Sequence, residues 1–93
     1  MIKKDYIVIE DKNKNIKEVF LMGMKHSKKY NYDYIACIEN SRVVIYPLIK
    51  INGIIYCNNV TNKKVLNTLY EEFIDNNNQL LDIAILPEII KTY

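Results

Sequence analysis

The only histidine, His26, stands beside Ser27 and seven residues before Asp33. Serine, histidine and aspartate are the residue types of a hydrolytic triad, but neighbouring residues of one loop rarely supply its geometry. Cys37 and Cys57 could add thiolate ligands for zinc to His26 and a carboxylate. The paired ligand spacing that is typical of structural zinc sites is absent, however. The sequence therefore favours neither a catalytic triad nor a metal site.

Glycine and cysteine usage also argues against a catalytic or cofactor-binding protein. Gly23 and Gly53 are the only glycines, too few for a loop that cradles phosphate groups. Cys37 and Cys57 form no CxxC pair, which predicts reduced, buried thiols rather than a disulfide. We predict a protein that is not an enzyme and that has no cofactor.

The stretch MKHSKKYNYDY, residues 24–34, combines lysines with tyrosines at every second position. Exposed tyrosines beside lysines could bind single-stranded nucleic acid. Side chains alternate along a strand, however, so Tyr34 shares a face with Ala36 and Ile38 and is expected in the core. We predict a hairpin end in which Tyr34 and Tyr32 are packed. Its three lysines, Lys25, Lys28 and Lys29, are expected in solvent.

Charge is distributed unevenly along the chain. Residues 1–64 contain twelve Lys and Arg against six Asp and Glu, a net charge of +6, and residues 65–93 contain one Lys against five acids, a net charge of −4. In the helix predicted after residue 61, Lys63 and Lys64 begin the helix and Glu71 and Asp75 lie near its end. Each of these signs opposes the helix dipole. An uncompensated local conflict can mark a functional surface.

Five strands are predicted from runs of apolar and β-branched residues that end at turn residues. Asn40-Ser41 and Asn52-Gly53 are two-residue hairpin turns, and Pro47 predicts an edge or an end of the fourth strand. The predicted ranges are 6–10, 16–24, 30–38, 42–48 and 54–57.

Helical spacing then replaces alternation, because Leu66, Leu69 and Phe73 fall on one face. Thr61 is the expected N-cap. Residues 79–86 are apolar on all sides and are interpreted as a second short helix that stops at Pro87. The predicted fold is a single α+β domain over residues 1–93, in which an antiparallel sheet of about five strands carries a helix on one face and is followed by a short apolar C-terminal segment.

This order of elements resembles the YrzB-like family of small bacterial proteins of unknown function. The resemblance covers about residues 5–75. Its motifs are residues 7–11 with a turn at Asn13 and Asn15, residues 19–24, residues 34–37, and Val60-Thr61 before the helix. The first turn lacks the glycine that is usual in that family, and the span is basic where that family is acidic. The resemblance implies a fold and no activity.

The sequence thus predicts a cytoplasmic, non-enzymatic protein-binding module, in its most concrete version a phage- or mobile-element-type inhibitor that occludes a larger host defence enzyme. The alternative is a weak, sequence-independent nucleic-acid binder. A homodimer through a strand edge or the apolar tail is compatible with either. No membrane contact is expected. The predicted partner-binding residues are Lys25, Lys28, Lys29, Tyr30, Glu71 and Asp75.

Overall fold

A computed structural model describes residues 5–93. These residues form six strands, one α-helix and one turn of 3₁₀ helix. The strands are β1 (Tyr6–Glu10), β2 (Ile16–Ser27), β3 (Tyr32–Glu39), β4 (Arg42–Ile51), β5 (Ile54–Cys57) and β6 (Ile89–Thr92). Helix α1 spans Lys63–Ile74, and the 3₁₀ turn spans Ile83–Ile85.

The six strands close into a barrel in the order β1-β2-β3-β4-β5-β6. Consecutive strands from β1 to β5 are antiparallel, whereas β6 lies parallel to both β5 and β1 and completes the ring. The predicted open antiparallel sheet with a packed helix is therefore wrong. The missed element is β6, since four residues after a proline carry too little pattern to be recognised as a strand.

The C-terminal segment explains why the ring closes. Residues 79–86 contain only the 3₁₀ turn instead of the predicted second helix, and the Leu81 amide donates to the Met24 carbonyl oxygen at 2.8 Å. Leu86 and Ile90 are buried in the barrel interior, where they contact β1 and β2 residues. The apolar tail thus fills the core of its own chain. A subunit contact through the tail would have to use the residues that stay exposed, Leu80, Ile85 and Ile89.

Two predicted hairpin turns are confirmed by backbone conformation. Asn40 and Ser41 have φ of 51° and 62°, and Asn52 and Gly53 have φ of 52° and 80°. Positive φ at both central residues matches the right-handed twist of the flanking strands. These turns fix which residues of β3, β4 and β5 face each other.

Pro47 lies within β4, opposite Tyr34 of β3, so the predicted strand end there is wrong. The alternative of an edge is confirmed on the side of β5, where strand pairing begins only at Leu48. The Asn58 amide donates to the Pro47 carbonyl oxygen at 2.9 Å. The N and C=O of one strand residue point to the same side of the strand, so the Pro47 nitrogen faces the end of β5. The N–H that proline lacks would therefore not have bonded to β3, and the β3–β4 pairing loses no hydrogen bond.

Apolar side chains form two layers. The barrel interior contains Leu86 and residues from every strand, which are Ile7, Ile9, Val19, Leu21, Met24, Ile35, Cys37, Tyr46, Cys57 and Ile90. A second layer lies outside the barrel, where Leu69 of α1 packs on Tyr34, Ala36 and Ile45. The helix therefore covers the outer face of β3 and β4.

Helix α1 begins at Asn62, whose Oδ1 accepts from the amides of Lys64 and Val65. The N-cap is one residue later than the expected Thr61. Of the predicted apolar stripe, Leu69 is fully buried, and Leu66 and Phe73 are half-buried. The helix thus contacts the barrel through one central residue and two flanking ones.

A bulge in β2 brings α1 and the C-terminal segment close to the barrel. The register of β2 against β3 shifts between Leu21 and Gly23. A Cβ at Gly23 would lie 2.6 Å from Leu80 Cδ2 and 3.5 Å from Phe73 Cζ. The glycine therefore allows this close approach.

No helix among residues 5–93 is both long and apolar enough to cross a bilayer.

Candidate functional site

One end of the barrel, here called the upper mouth, holds the histidine. Its cleft of about 350 Å³ has a floor of Met24, Leu48 and Ile55. Its polar rim includes His26 and Asp33, whose Nδ1 and Oδ1 are 2.8 Å apart. Both side chains are 44% exposed. A concave apolar floor with a few polar rim groups is the usual form of a small-molecule site.

Ser27 does not join this pair. His26 faces the mouth, and its neighbour Ser27 points to the opposite face of β2, where its Oγ donates to Glu72 Oε2 of α1 at 3.0 Å. His26 and Asp33 therefore form a hydrogen-bonded pair without the nucleophile that a triad requires.

The two cysteines lie in the barrel interior, away from His26. Both are free and fully buried, which confirms the expected environment. Burial raises the pKa of Cys37 to about 12 and raises that of Cys57 as well. Among residues 5–93, no group of three histidine, cysteine or carboxylate side chains is placed to hold a metal ion.

The opposite end of the barrel, the lower mouth, carries a group of hydrogen-bonded polar side chains. Lys17 Nζ donates to Glu39 Oε1 and Tyr46 Oη donates to Glu39 Oε2, each at 2.8 Å. The hydrogen bond from Lys17 is the main cause of the lowered pKa of Glu39. Burial, followed by the bond to Glu39, raises the pKa of Tyr46 to about 12. These three groups satisfy one another and are structural.

Lys25, predicted to lie in solvent and to contact a partner, is 6% exposed. Its ammonium donates to the carbonyl oxygens of Phe73 and Asp75, the latter at 3.1 Å, and lies 5.1 Å from the centre of the Phe73 ring. The prediction is wrong because β2 continues to Ser27, so that Lys25 belongs to a strand and not to a loop. Its side chain satisfies the C-terminal carbonyls of α1.

This contact also offsets the acidic charge near the end of α1, whereas Lys63 and Lys64 at its start are exposed and form no ion pair within residues 5–93. No basic residue of α1 lies in its last turn, but β2 supplies Lys25 there, at the negative end of the helix dipole. Glu72 is likewise used internally, since it accepts from Ser27 Oγ and from the Lys28 amide at 2.9 Å. Asn78 adds bonds to the carbonyl oxygens of His26 and Glu72.

The remaining predicted partner residues stay at or near the surface. Lys28 and Lys29 are exposed in the turn after β2, as predicted, with Lys29 Nζ 5.7 Å from the centre of the Tyr30 ring. The rings of Tyr30 and Tyr32 stack at 5.9 Å. Two of the three lysines are therefore available to the nucleic-acid alternative.

Glu71 and Asp75 are exposed on α1. Asp75 is the C-cap residue, and its Oδ1 accepts from the Asn77 amide at 2.9 Å. Its carboxylate therefore orders the turn that follows the helix, whereas Glu71 makes no ion pair with any residue between 5 and 93. The acidic side of the helix is only in part a free surface.

Tyr34 is fully buried, as predicted, and its Oη donates to the Leu69 carbonyl oxygen at 3.1 Å. Burial is also the main cause of its raised pKa. Tyr32 is half-buried against the same outer layer. Of the tyrosines in residues 24–34, only Tyr30 and Tyr32 could thus offer an accessible ring face.

A different surface carries a continuous row of exposed apolar side chains, and no sequence motif marks it. Four outward side chains lie side by side on adjacent strands. Tyr6 of β1 pairs with Phe20 of β2, Phe20 pairs with Ile38 of β3, and Ile38 pairs with Val43 of β4. We call these four residues the apolar row. Tyr6 is 58% exposed and the other three are 37–38% exposed. The rings of Tyr6 and Phe20 meet edge to face at 5.5 Å.

Part of this row could have been predicted from the sequence, because the two-residue turn at Asn40-Ser41 sets the register that pairs Ile38 with Val43. Pairing across β1 and β2 depends on a five-residue turn, and no pattern sets its register. The row therefore becomes visible only in the folded chain.

No family model, curated protein or solved structure matches this chain. The resemblance to the YrzB-like family accordingly stays a prediction.

Proposed function

We propose that this chain is a non-enzymatic protein-binding module and that the apolar row is the centre of its contact surface. The observation that carries the proposal is the alignment of four large apolar side chains, two of them aromatic, in one exposed row across β1 to β4. Single exposed apolar residues are common on proteins, but contiguous ones mark interaction sites. Aromatic residues are also enriched in the cores of protein interfaces.

The row is the centre of such an interface and not its whole area. A stable complex takes about 800 Å² from each partner, so polar neighbours must form the rim. Glu18, two residues from Phe20 on the same face of β2, and Arg42, next to Val43, are both exposed. Met22, 39% exposed and two residues beyond Phe20, extends the apolar area along β2.

The concrete form of this function is an inhibitor that occludes a larger enzyme, such as a phage- or mobile-element-type inhibitor of a host defence enzyme. The described chain extends about 34 Å in each direction. A rigid body of this size, bound through one face, can block access to the surface on which it docks.

A photo-crosslinking amino acid at position 38, introduced in the cells that produce the protein, tests the proposal. We expect one protein partner to be cross-linked from position 38, and its yield to fall at least tenfold in a Phe20→Ser background. The matched control places the same cross-linker at Ile54, which is 54% exposed at the β4–β5 turn and outside the row.

Equal partners and yields from both positions would contradict the proposal. Recovery of nucleic acid in place of protein would support the alternative function. Circular dichroism and thermal unfolding of each variant show whether the barrel is intact.

A further inference from the structure

The two ends of the barrel differ in what lies over the apolar interior. At the lower mouth, polar side chains bond to one another. At the upper mouth, the cleft of about 350 Å³ reaches the interior, since its lining includes the buried Met24. Leu48 and Ile55, which also line the cleft, pack against the same interior cluster. The upper mouth is therefore the end at which a small molecule can contact the core.

Strand alternation directs three polar side chains to this cleft. His26 of β2, Asp33 of β3 and Lys50 of β4 all line it. Side chains two residues apart on a strand point to the same face. Each of the three lies two residues from an inward-facing apolar residue of its own strand, which are Met24, Ile35 and Leu48 in that order. The polar groups therefore surround the apolar floor by the geometry of the strands.

Apolar side chains remain exposed around the cleft. Ile85, in the 3₁₀ turn, is 64% exposed, and Ile49 of β4 is 37% exposed. Leu48 and Ile55 on the floor are only half-buried. A molecule in the cleft removes this surface from water, which is the dominant favourable contribution to binding an apolar ligand. The matching ligand therefore has an apolar body, and the cleft volume of about 350 Å³ suits a small one.

Charge in the lining selects the head group of the ligand. Asp33 Oδ1 lies 2.8 Å from His26 Nδ1, and because an ionised carboxylate can only accept, Nδ1 carries the hydrogen of this bond. Asp33 thus has a cationic or polar partner within the lining. Lys50 is exposed and forms no ion pair within residues 5–93. Asn31, also exposed in the lining, carries further N–H donors. The site therefore favours a negative group on the ligand.

We propose that the upper mouth binds a small amphipathic acid, with its apolar body on Met24, Leu48 and Ile55 and its carboxylate beside Lys50. The inference goes beyond the proposed function and does not depend on it, because no residue of the apolar row lines the cleft. The chain then has two separate binding surfaces. One is the outer wall of the barrel, for a protein, and the other is one end of the barrel, for a small molecule.

The probes are octanoate, octanol and octylamine, which share one alkyl chain and differ in the charge of the head group. Each is titrated into the full chain and followed by NMR of methyl groups. We expect octanoate to have the lowest Kd, about three- to fivefold below that of octanol, which is the effect of one exposed ion pair. Methyl signals of Met24, Leu48 and Ile55 should shift on binding, and those of Ile38 and Val43 in the apolar row should not.

Lys50→Gln tests the head-group contact. It should raise the Kd of octanoate about three- to fivefold and leave that of octanol unchanged, because it removes only the charge. The matched control is Lys64→Gln, at an exposed lysine of α1 that does not line the cleft, and it should change neither value. The comparison of the three probes on the wild type tests the same contact without any variant.

Ile85→Ser tests the apolar contact. It should raise the Kd of octanoate and octanol alike, at least twofold, because it removes apolar surface that both alkyl chains cover. Ile16→Ser is the matched control, since Ile16 is 68% exposed and lies next to Lys17 at the lower mouth, and it should change neither Kd. Circular dichroism and thermal unfolding show whether each variant keeps the barrel.

The outcomes that contradict the proposal are distinct. The lowest Kd for octylamine would assign the cleft to a cation beside Asp33, and equal Kd values for octanoate and octanol would remove the charge contact; either result overturns the acid. Shifts confined to Ile38 and Val43, or no saturable binding of any probe, would overturn the upper mouth as a ligand site. Cross-linking from position 38 does not depend on these results, so the protein contact surface and the ligand site can fail separately.

Discussion

The same outer face of β3 and β4 has a covered half and a bare half. In the covered half, Ala36 and Ile45 face each other under α1 and are 0% and 1% exposed. One row further along the same strands, Ile38 and Val43 face each other and are 38% and 37% exposed. The two pairs have the same chemical character, and only the position of α1 distinguishes them.

The comparison separates side chains that build the molecule from side chains that are available to a partner. The covered half is sealed by directed bonds as well as by packing, since Lys25 and Tyr34 both donate to helix carbonyls. The bare half has neither a covering element nor such bonds among the described residues. It is therefore the half in which substitutions should change binding without changing stability.

Leu69→Ala should have the largest effect on stability. Leu69 is fully buried between α1 and the covered half, and removing such a side chain costs about 2–5 kcal/mol in the free energy of unfolding. Urea denaturation of the wild type and the variant measures this difference. Ile38→Ala, in the bare half, is the matched control and should cost about 1 kcal/mol or less.

A loss below about 1 kcal/mol in Leu69→Ala would show that α1 is only loosely attached. In that case the covered half would itself be accessible when the helix detaches, and the two halves would no longer differ. A large loss in Ile38→Ala would show that the bare half contributes to stability and would weaken its assignment as a contact surface.

Local sequence patterns predicted the burial of single residues within one strand or helix better than the way in which the strands assemble into a barrel. Strand alternation placed Tyr34 in the core, and helical spacing found Leu69, because each signal lies within one element. Closure of the barrel depends on β6, which joins β1 and β5 across more than 30 residues of chain. No local pattern encodes that pairing, and the same holds for the exposure of Ile38.

Lys25 shows a different limit of the sequence. The three lysines in residues 24–34 are indistinguishable by sequence pattern. In the structure β2 is three residues longer than predicted, and this places Lys25 next to the end of α1. The charge conflict at the C-terminal end of α1 is offset within the chain. Its compensation comes from a residue 50 positions away in the chain.

Lys25→Met should give an intermediate loss of stability. Methionine keeps most of the buried stem but leaves the carbonyl groups of Phe73 and Asp75 without this donor. Loss of a charged hydrogen bond at a helix C-terminus costs about 1–3 kcal/mol. Urea denaturation measures it, and Lys28→Met, at an exposed lysine three residues away, should be within about 0.5 kcal/mol of the wild type.

Equal effects of the two lysine substitutions would mean that Lys25 is as solvated as Lys28. The covered half would then lack its electrostatic contact, and Lys25 would return to the set of residues available to a partner. Hydrogen exchange in the last turn of α1 should increase in Lys25→Met alone.

The smallest expected effect on stability concerns the lower mouth, next to the bare half, where no helix packs and Lys17 and Glu39 form an ion pair. The pKa of Glu39 is lowered mainly by the hydrogen bond from Lys17. Its contribution to stability is therefore present above the unfolded-state pKa of about 4.3 and is lost as the pH falls through the lower folded-state value. Because Lys17 is 48% exposed, the contribution should be about 1 kcal/mol or less. Urea denaturation from pH 7 to pH 3 should show wild type and Glu39→Gln converging below about pH 4, and a constant difference would exclude the ion pair as its cause.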